Sequence, residues 1–336
     1  MARVFLTGAS GFIGGRLADR LVARGDEVIG LARSDAGAAR VAAHGATPVR
    51  GDVLDRDSLV AAMAGCDAAF HVAGVNSHCP KDPDGLMRVN VEGPQNVIAA
   101  AAASGIARLV LTSSAASLGE AEGTVGTEDC AHRGSYLSLY DRSKHEGEQA
   151  AFAAARRAGV ELVAVNPSSV QGPGRKGGNG ALVIALLNGR LRAFVRTQIS
   201  IVDIDDCVEG HLLAAAHGKP GARYVLNGAT ISSAEALRIV SELAGVEQRV
   251  PMVPAPVAAG AAAIVESALR LGGRTSPLCR ARVRTILHGH RYDAALSERE
   301  LGLVYTPVAE TFRRTAAWAM AEGLVTRPLP AMATSR

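Results

Sequence analysis

Two tyrosines and a lysine lie close together in the segment YLSLYDRSK, residues 136–144. Tyr140 and Lys144 are four residues apart on a predicted helix, so their side chains share one face of that helix. A phenol has a pKa of about 10 in water, and a nearby ammonium group lowers that pKa because it favours the phenolate. Tyr140 can therefore give a proton to a carbonyl oxygen, or take one from an alcohol in the reverse direction. Tyr136 precedes the helix, and we expect it at most in the wall of a substrate pocket.

Ser114 ends the predicted strand RLVLTSS, residues 108–114. Its hydroxyl can hydrogen-bond the same substrate oxygen and hold it for proton transfer, while Lys144 can also hold a cofactor ribose. A Y-x-x-x-K pattern alone is common in ordinary helices. The prediction that Ser114, Tyr140 and Lys144 are catalytic therefore depends on what the rest of the chain places beside them.

A glycine-rich turn near the start of the chain, TGASGFIGG, follows the predicted strand RVFLT and begins a helix. Gly8 allows a tight turn, Gly11 lets the backbone approach a pyrophosphate, and Gly14 lets the helix pack on the sheet with its N-terminus facing the anion. This strand–turn–helix context predicts a dinucleotide site, with Phe12 and Ile13 also at the cofactor.

The end of the second predicted strand indicates which dinucleotide binds. An NAD site usually has an acid there for the ribose hydroxyls, whereas this chain has GLARSD, with Ala32 followed by Arg33 and Ser34. A guanidinium at this place suits a 2′-phosphate through charge-assisted hydrogen bonds. We therefore predict NADP(H) as the preferred cofactor, with NAD as the alternative.

Strands and helices alternate through the first half of the chain. Predicted strands cover residues 3–7, 27–32, 68–73, 108–114 and 161–167, and predicted helices cover residues 12–24, 36–44, 84–104 and 139–158. This alternation predicts an α/β fold with a Rossmann-type doubly wound parallel sheet over residues 1–166, with parts of 200–230 returning to the sheet. Residues 167–330 are expected to form mainly a smaller C-terminal α/β substrate lobe at the carboxyl edge of the sheet.

The composition argues against several classes of protein. The net charge is only +4 over 336 residues. A single basic cluster without aromatic partners is interpreted as a solvated face, so we expect no nucleic-acid partner. The members of this cluster are Arg270, Arg274, Arg280, Arg282, Arg284 and Arg291.

Five scattered cysteines without metal-ligand or redox spacing favour a reducing compartment and argue against a disulfide framework or a zinc site. The nine histidines likewise show no pairing at ligand spacing, so we expect no metal. The predicted first strand begins at Arg3, which leaves no room for a signal peptide. The longest apolar run, residues 253–265, is too short to span a bilayer and is expected to be a buried helix. These features predict a soluble cytoplasmic protein.

Taken together, these motifs resemble the extended short-chain dehydrogenase/reductase family of the NAD-dependent epimerase/dehydratase type, and most closely its dihydroflavonol 4-reductase-like members. Besides TGASGFIG and YDRSK, the matching segments are GDVLD, FHVAG, VNVEGPQNV, LTSSAAS, NPSSVQGPG, VDIDDCVEGHLLAA and LGLVYTPVAETFRRTAAWA, which cover nearly the whole chain. The resemblance implies an NAD(P)-dependent oxidoreductase, and it assigns the catalytic serine to Ser114 rather than Ser113. It also suggests a homodimer built from the helices over 84–104 and 139–158.

The resemblance implies further cofactor contacts in four segments. They are Asp52 and Val53 near the adenine, Val72, Ala73 and Gly74 along the cofactor, the family asparagine Asn90, and Pro167, Ser169 and Val170 at the nicotinamide.

Two reactions of this family compete: the reduction of an organic carbonyl, and the epimerisation or dehydration of a nucleotide sugar with bound NAD. The segment SAASLG lacks the acids of the sugar dehydratase pattern TDEVYG, and Arg33 favours exchangeable NADPH. Many nucleotide-sugar enzymes have an arginine for the diphosphate seven residues before the position of Asp206, where this chain has Ile199, with Arg196 three residues earlier. These differences favour a reductase. A third reading, a non-catalytic NADP-sensing regulator, is disfavoured because the tyrosine and lysine are kept.

The small-molecule substrate is expected to be apolar or cyclic, because the loops VNSHCPKDP and SSVQGPG face the site with few fixed charges. The candidates for substrate contact are Asn76, Ser114, Tyr136 and Gln171. The residues of the first loop that we interpret as surface are His78, Cys79 and Lys81.

Overall fold

A computed structural model describes residues 1–245, 250–271 and 279–329 of the chain. Arg274 of the basic cluster and residue 330, the expected end of the lobe, lie outside these ranges. The strands are β1 (Arg3–Thr7), β2 (Glu27–Ala32), β3 (Thr47–Arg50), β4 (Ala68–His71), β5 (Arg108–Thr112), β6 (Glu161–Pro167), β7 (Ser169–Gln171), β8 (Phe194–Val195), β9 (Gln198–Asp203), β10 (Arg223–Leu226), β11 (Ala229–Ser232) and β12 (Met252–Val253).

Seven of these strands form one parallel sheet in the order β3-β2-β1-β4-β5-β6-β10. Its strands are apolar on both faces, as in β1, where four of five residues are buried. Such strands need cover on both sides. The fold is the predicted Rossmann-type α/β fold, and the late strand β10 returns to the sheet beside β6.

The helices are α1 (Phe12–Ala23), α2 (Asp35–Ala43), α3 (Arg56–Met63), α4 (Pro83–Met87), α5 (Gly93–Ala103), α6 (Leu139–Ala158), α7 (Asn179–Leu187), α8 (Ile204–His217), α9 (Ser233–Ala244), α10 (Ala255–Leu271), α11 (Arg280–His288), α12 (Ala295–Leu301) and α13 (Val308–Ala321). One core cluster packs residues of α1 and α8 on one face of the sheet, and a second packs residues of α3, α5 and α6 on the other face. Among the described residues, no helix is long and apolar enough to cross a membrane.

The smaller lobe has its own apolar core. The strands β7, β9 and β11 form a three-stranded sheet, in which β9 runs parallel to β7 and antiparallel to β11. Residues of α7, α9 and α13 pack together beside this sheet, with Leu187, Val240 and Phe312 almost completely buried. Because β7 follows β6 after one residue, this lobe begins directly at the carboxyl edge of the large sheet.

Three predicted elements differ in length from the observed ones. The strands β4 and β5 end at His71 and Thr112, so the residues after them form loops at the carboxyl edge. The predicted helix over 84–104 is interrupted by a π-helical turn, Arg88–Glu92. This turn contains Asn90, whose side-chain amide forms two hydrogen bonds with the Val75 backbone. Such π-helical turns are frequent at functional sites.

The expectation of a buried helix over residues 253–265 is wrong. The helix α10 exposes several of its apolar side chains, including Val257 at 59%, Ile264 at 72% and Val265 at 43%. The run has apolar residues all round, so periodicity could not show which face packs against the protein.

The expectation of a chain without disulfides is also wrong, because a disulfide joins Cys79 to Cys279. The two cysteines are 200 residues apart, and no spacing pattern in the sequence reveals such a pair. The disulfide connects the loop after β4 to the residue that precedes α11. Three cysteines of the described chain remain free: Cys66, Cys130 and Cys207.

Replacing Cys79 by serine is expected to destabilise the protein in non-reducing buffer by about 2–4 kcal/mol, because a cross-link restricts the unfolded chain. Denaturant unfolding of the wild type and Cys79→Ser would measure this difference. A dithiol reductant should abolish it, and the control Cys130→Ser should change little because Cys130 is free. Five reactive thiols in the unreduced, unfolded wild type, instead of three, would contradict the disulfide.

Candidate active site

The glycine-rich turn between β1 and α1 has no room for side chains. Gly8 has a φ of +78°, which favours glycine, and a Cβ on it would lie 2.8 Å from the Ala73 nitrogen. A Cβ on Gly14 would lie only 2.1 Å from the Gly8 carbonyl oxygen. Gly11 precedes α1, and Phe12 is the first residue of that helix. The N-terminus of α1 is therefore bordered by backbone without side chains. A pyrophosphate can approach such a helix N-terminus closely.

A small cavity of about 360 Å³, called the second cavity here, lies beside the predicted cofactor segment. It is lined by three cationic side chains, Arg33, Lys81 and Arg88, and by two acids, Asp52 and Asp82. Asp35, the nearest acid in sequence to Arg33, pairs with Arg50 instead, at 2.8 Å. Arg33 is thus left without Asp35 as a partner. The position of Lys81 in this cavity corrects its interpretation as loop surface.

The side chains of two other predicted cofactor residues, Ser34 and Val53, do not line the second cavity. The Ser34 hydroxyl accepts a hydrogen bond from the Gly37 nitrogen at 3.1 Å and caps α2. Val53 is 4% exposed and belongs to the core, so its side chain supports the region from beneath.

The segment after β4 is held in place by two buried polar side chains. The Thr7 hydroxyl accepts from the nitrogens of Val72 and Ala73, at 3.1 and 3.0 Å. Asn90 bonds both backbone groups of Val75, at 2.8 and 2.9 Å. Between them, a Cβ on Gly74 would lie 3.5 Å from the Lys144 Nζ. The fold thus brings the predicted cofactor segment against the predicted catalytic lysine.

Tyr140, Ser114 and Lys144 lie together where α6 meets the end of β5. Ser138 caps the N-terminus of α6, with its hydroxyl 3.2 Å from the Asp141 nitrogen, and this cap places Tyr140 in the first turn. Tyr140 is 8% exposed, and it lines the main cavity together with Ser114. The Ser114 hydroxyl accepts from the Ala116 nitrogen at 3.2 Å.

The charge environment of Tyr140 differs from the predicted one. Burial raises the pKa of Tyr140, against the opposing effects of the Ser114 hydrogen bond and the charge of Arg175. The cation that lowers the pKa of Tyr140 is Arg175 rather than the predicted Lys144. The ammonium of Lys144 donates instead to the Thr112 carbonyl at 3.0 Å. Burial lowers the pKa of Lys144 to about 8, although the charge of Glu148 opposes this shift.

A buried ion pair behind the site escaped the sequence analysis. Glu148 is 2% exposed and lies 3.0 Å from the Arg223 guanidinium of β10. Its other oxygen accepts from Ser117 at 3.1 Å and from Asn166 of β6 at 2.5 Å. Glu148 follows Lys144 by four residues, one turn of α6. This spacing was the signal in the sequence that could have pointed to Glu148. These contacts anchor α6, and with it the predicted catalytic side chains Tyr140 and Lys144, to the sheet.

Replacing Arg223 by methionine is expected to lower the free energy of unfolding by about 3–5 kcal/mol, because it leaves the Glu148 carboxylate buried without its cation. Denaturant unfolding at neutral pH measures the loss. The control is Arg142→Met, which removes an exposed pair with Glu146 on the same helix and should change stability little. Equal effects of the two substitutions would contradict the anchoring role.

The main cavity has a volume of about 670 Å³ and extends from Ser114 and Tyr140 into the lobe. Its apolar wall is formed by residues of the lobe. They include Leu182, Val183, Leu186, Leu191, Phe194, Ile199, Leu237, Val240 and Phe312. The predicted site residues that also line it are Ile13, Asn76, Pro167, Ser169, Val170 and Gln171.

Tyr136 and His78 lie in unexpected places. Tyr136 packs against the rings of His132 and His145, at centroid distances of 5.1 and 5.9 Å, and is not among the residues that line the main cavity. His78 lies edge-on against the Tyr140 ring at 5.1 Å and lines that cavity, which corrects its interpretation as loop surface. The loop folds back over the site, and the disulfide at the next residue holds it there.

Glu120, His288 and His290 form a cluster that sequence spacing did not show. The Glu120 carboxylate lies 2.5 Å from His290 Nδ1 and 3.4 Å from His288 Nε2. Burial raises the pKa of Glu120, but hydrogen bonds from both histidines outweigh it and lower the pKa to about 2. The direct contact between Glu120 and His290 has the length of a hydrogen bond, so we interpret the cluster as a hydrogen-bonded network rather than a metal site.

Comparisons with known proteins identify the family of this chain. A sequence model described as the NAD dependent epimerase/dehydratase family matches residues 4–226. The chain is 32% identical, over 96% of its length and 95% of the relative's, to a protein of Synechocystis sp. that is named provisionally as a dihydroflavonol 4-reductase. It is 33% identical, over 80% of its length and 81% of the relative's, to the 4-hydroxy-2-methyl-3-oxo-4-farnesyl-3,4-dihydroquinoline-1-oxide ketoreductase of Stigmatella aurantiaca.

A 2-alkyl-3-oxoalkanoate reductase of Shewanella oneidensis is 29% identical, over 90% of this chain and 82% of that protein. Among solved structures, that of gox2253 superposes with a TM-score of 0.84 at 29% identity and covers 97% of this chain and 100% of its own. The UDP-glucose 4-epimerase of Thermotoga maritima has a TM-score of 0.78 at 17% identity, over 95% of this chain and 99% of that one. The last similarity concerns the fold alone.

Proposed function

This chain belongs to the NAD-dependent epimerase/dehydratase family, and we propose that it reduces a ketone or aldehyde carbonyl of an apolar or cyclic small molecule with NADPH. The observation that carries the proposal is the buried Tyr140–Ser114 pair at one end of an apolar cavity of about 670 Å³. The family and its relatives are NAD(P)-dependent oxidoreductases of the extended short-chain type, so the proposal concerns the cofactor preference, the catalytic residues and the substrate.

Each catalytic side chain has one role in this proposal. When bound, NADPH supplies the hydride. Tyr140 donates its proton to the carbonyl oxygen, and Ser114 hydrogen-bonds the same oxygen. Because burial raises the pKa of Tyr140, the phenol is protonated in the resting site, as a proton donor for reduction must be. Lys144, beside Gly74, is placed to hold the cofactor ribose.

The apolar wall of the main cavity supports a substrate with a sizeable apolar part. Names of two relatives agree with this, because one describes a ketone that carries a farnesyl chain and the other describes 2-alkyl-3-oxoalkanoates. Ile199, which stands where many nucleotide-sugar enzymes have an arginine, lies in this wall. We therefore favour an apolar carbonyl compound over a nucleotide sugar.

The second cavity supports NADPH over NADH. Three cations, Arg33, Lys81 and Arg88, line it together with two acids, Asp52 and Asp82. The cations outnumber the acids, and a guanidinium among them suits the extra phosphate of NADPH. The bare backbone at Gly8 and Gly14 fits the pyrophosphate of either cofactor.

The proposal is tested by extracting the cofactor from purified protein and then measuring NADPH oxidation with aldehydes, long-chain ketones, cyclic ketones and nucleotide sugars. We expect turnover of apolar ketones or aldehydes and little retained cofactor. Co-purified NAD together with turnover of a nucleotide sugar would support the epimerase alternative instead. Tight NADPH binding without turnover of any carbonyl compound would support a regulator.

A further inference from the structure

We propose that Arg175 is an additional ligand-binding residue of the site, whose guanidinium binds an anionic phosphate oxygen on the nicotinamide side of the cofactor pyrophosphate. This inference rests on the proposed function in that NADPH is the cofactor. Neither the glycine-rich turn nor the Tyr–Lys pattern includes this residue, which belongs to the loop that begins the lobe.

Arg175 lies between the two parts of the predicted cofactor site. Its guanidinium carbon is 5.5 Å from the centre of the Phe12 ring, and Phe12 begins α1 directly after the glycine-rich turn. Its Nη1 donates to the Val170 carbonyl at 2.5 Å, in the segment expected at the nicotinamide. The charge of Arg175 also acts on Tyr140. The two contacts, with Phe12 and Val170, and the charge effect on Tyr140 indicate a place near the junction of pyrophosphate and nicotinamide.

The loop that carries Arg175 packs closely over the glycine-rich turn. A Cβ on Gly174 would lie 3.4 Å from the Phe12 ring. Gly172, Gly174 and Gly178 all have positive φ, at +146°, +96° and +59°, so the loop follows a path that larger residues adopt with difficulty. The guanidinium is thereby presented to the main cavity, which Arg175 lines.

The charge of Arg175 has no anionic partner in the described part of the chain. Its one hydrogen bond goes to the neutral Val170 carbonyl. The titratable groups that act on it are Tyr140 and Cys207, and burial raises the pKa of both, so both are neutral near pH 7. Burial without a counter-ion lowers the pKa of Arg175 itself. An unpaired, partly buried cation is costly, and an arriving phosphate would remove that cost.

Lys176, the next residue, provides a matched control. Its ammonium lies 2.9 Å from Glu322, and its side chain is 61% exposed. Lys176→Met removes the same formal charge from the same loop without touching the cavity. Arg175→Met removes an unpaired cation together with its hydrogen bond to Val170. These two effects on stability oppose each other, so the variant is expected to fold with a melting temperature close to that of the wild type.

The experiment measures nucleotide binding directly, by calorimetry, without turnover. We expect Arg175→Met to weaken NADPH by about 10- to 100-fold, the effect of a lost charge-assisted hydrogen bond, and Lys176→Met to leave it unchanged. Adenosine 2′,5′-bisphosphate, which lacks the nicotinamide half, should bind the wild type and Arg175→Met almost equally. Arg175→Lys should retain part of the NADPH affinity because it keeps the charge but loses the planar fork.

Three further results separate this inference from the proposed function and from substrate binding by Arg175. Equal NADPH binding by wild type and Arg175→Met would overturn the inference even if carbonyl reduction is observed. A large loss of NADPH binding in Arg175→Met without reduction of any carbonyl compound would support the inference and overturn the proposed function. A loss confined to the KM of a carboxylate-bearing ketone would overturn the cofactor assignment and identify the anion as the substrate's.

Discussion

Replacing Tyr140 by phenylalanine is expected to lower kcat for carbonyl reduction by roughly 10²–10⁴-fold, the usual contribution of a positioned proton donor. The substitution removes the phenol hydroxyl that would donate the proton. It keeps the aromatic ring, which lies 5.1 Å from the His78 ring. Steady-state NADPH oxidation with the best substrate of the panel measures the loss.

The Kd for NADPH should change little in Tyr140→Phe, and the melting temperature should stay close to that of the wild type. Tyr136→Phe is the matched control, because Tyr136 lies in the same segment but packs against His132 and His145. We expect its kcat to remain within about twofold of the wild type, since it loses no group that reaches the reacting carbonyl. Retention of turnover by Tyr140→Phe, or an equal loss in Tyr136→Phe, would exclude Tyr140 as the proton donor.

Replacing Arg33 by alanine is expected to weaken NADPH by about 10- to 100-fold and NADH by much less. The reason is that only NADPH carries the 2′-phosphate that a guanidinium in the second cavity can bind in two places. Kd values of both cofactors, measured at one salt concentration, test this difference, since screening weakens such contacts.

Arg40→Ala serves as the control for a general change of charge, because Arg40 is in the last turn of α2 and is not among the residues that line the second cavity. It should leave the ratio of the two Kd values unchanged. An equal loss of NADPH and NADH binding in Arg33→Ala would mean that Arg33 does not select the cofactor. Arg33→Ala and Arg175→Met should also differ with adenosine 2′,5′-bisphosphate, which only the former is expected to bind more weakly.

Local patterns were sufficient for the parts of the site that are close in sequence. The glycine-rich turn, the strand–helix alternation and the four-residue spacing of Tyr140 and Lys144 each depend on neighbouring residues, because backbone geometry alone sets which side chains share a turn or a face. The observed α6 spans Leu139–Ala158, as the sequence predicted, since Ser138 and Gly159 mark its two ends.

The errors arose where contacts join residues distant in sequence. Cys79 and Cys279 are 200 residues apart, Glu120 meets His288 and His290, and the disulfide-linked loop brings His78 onto Tyr140. Helix α10 was expected in the core because its composition is apolar, but composition does not show whether a partner surface exists. None of these pairings has a periodic signal, so none could be predicted from one sequence.

The sequence by itself determined the class of fold, the strand–turn–helix geometry of the glycine-rich turn and the shared helix face of Tyr140 and Lys144, because short-range backbone geometry and residue type suffice for them. Only the tertiary structure decided the charge environment of that pair. It directed the Lys144 ammonium to the Thr112 carbonyl and paired Glu148 with Arg223. It also placed Arg175, which has no ion-pair partner among the described residues, over the Phe12 ring, where its charge acts on Tyr140. Electrostatic effects depend on distance and burial in space, and the order of residues along the chain specifies neither until the chain has folded.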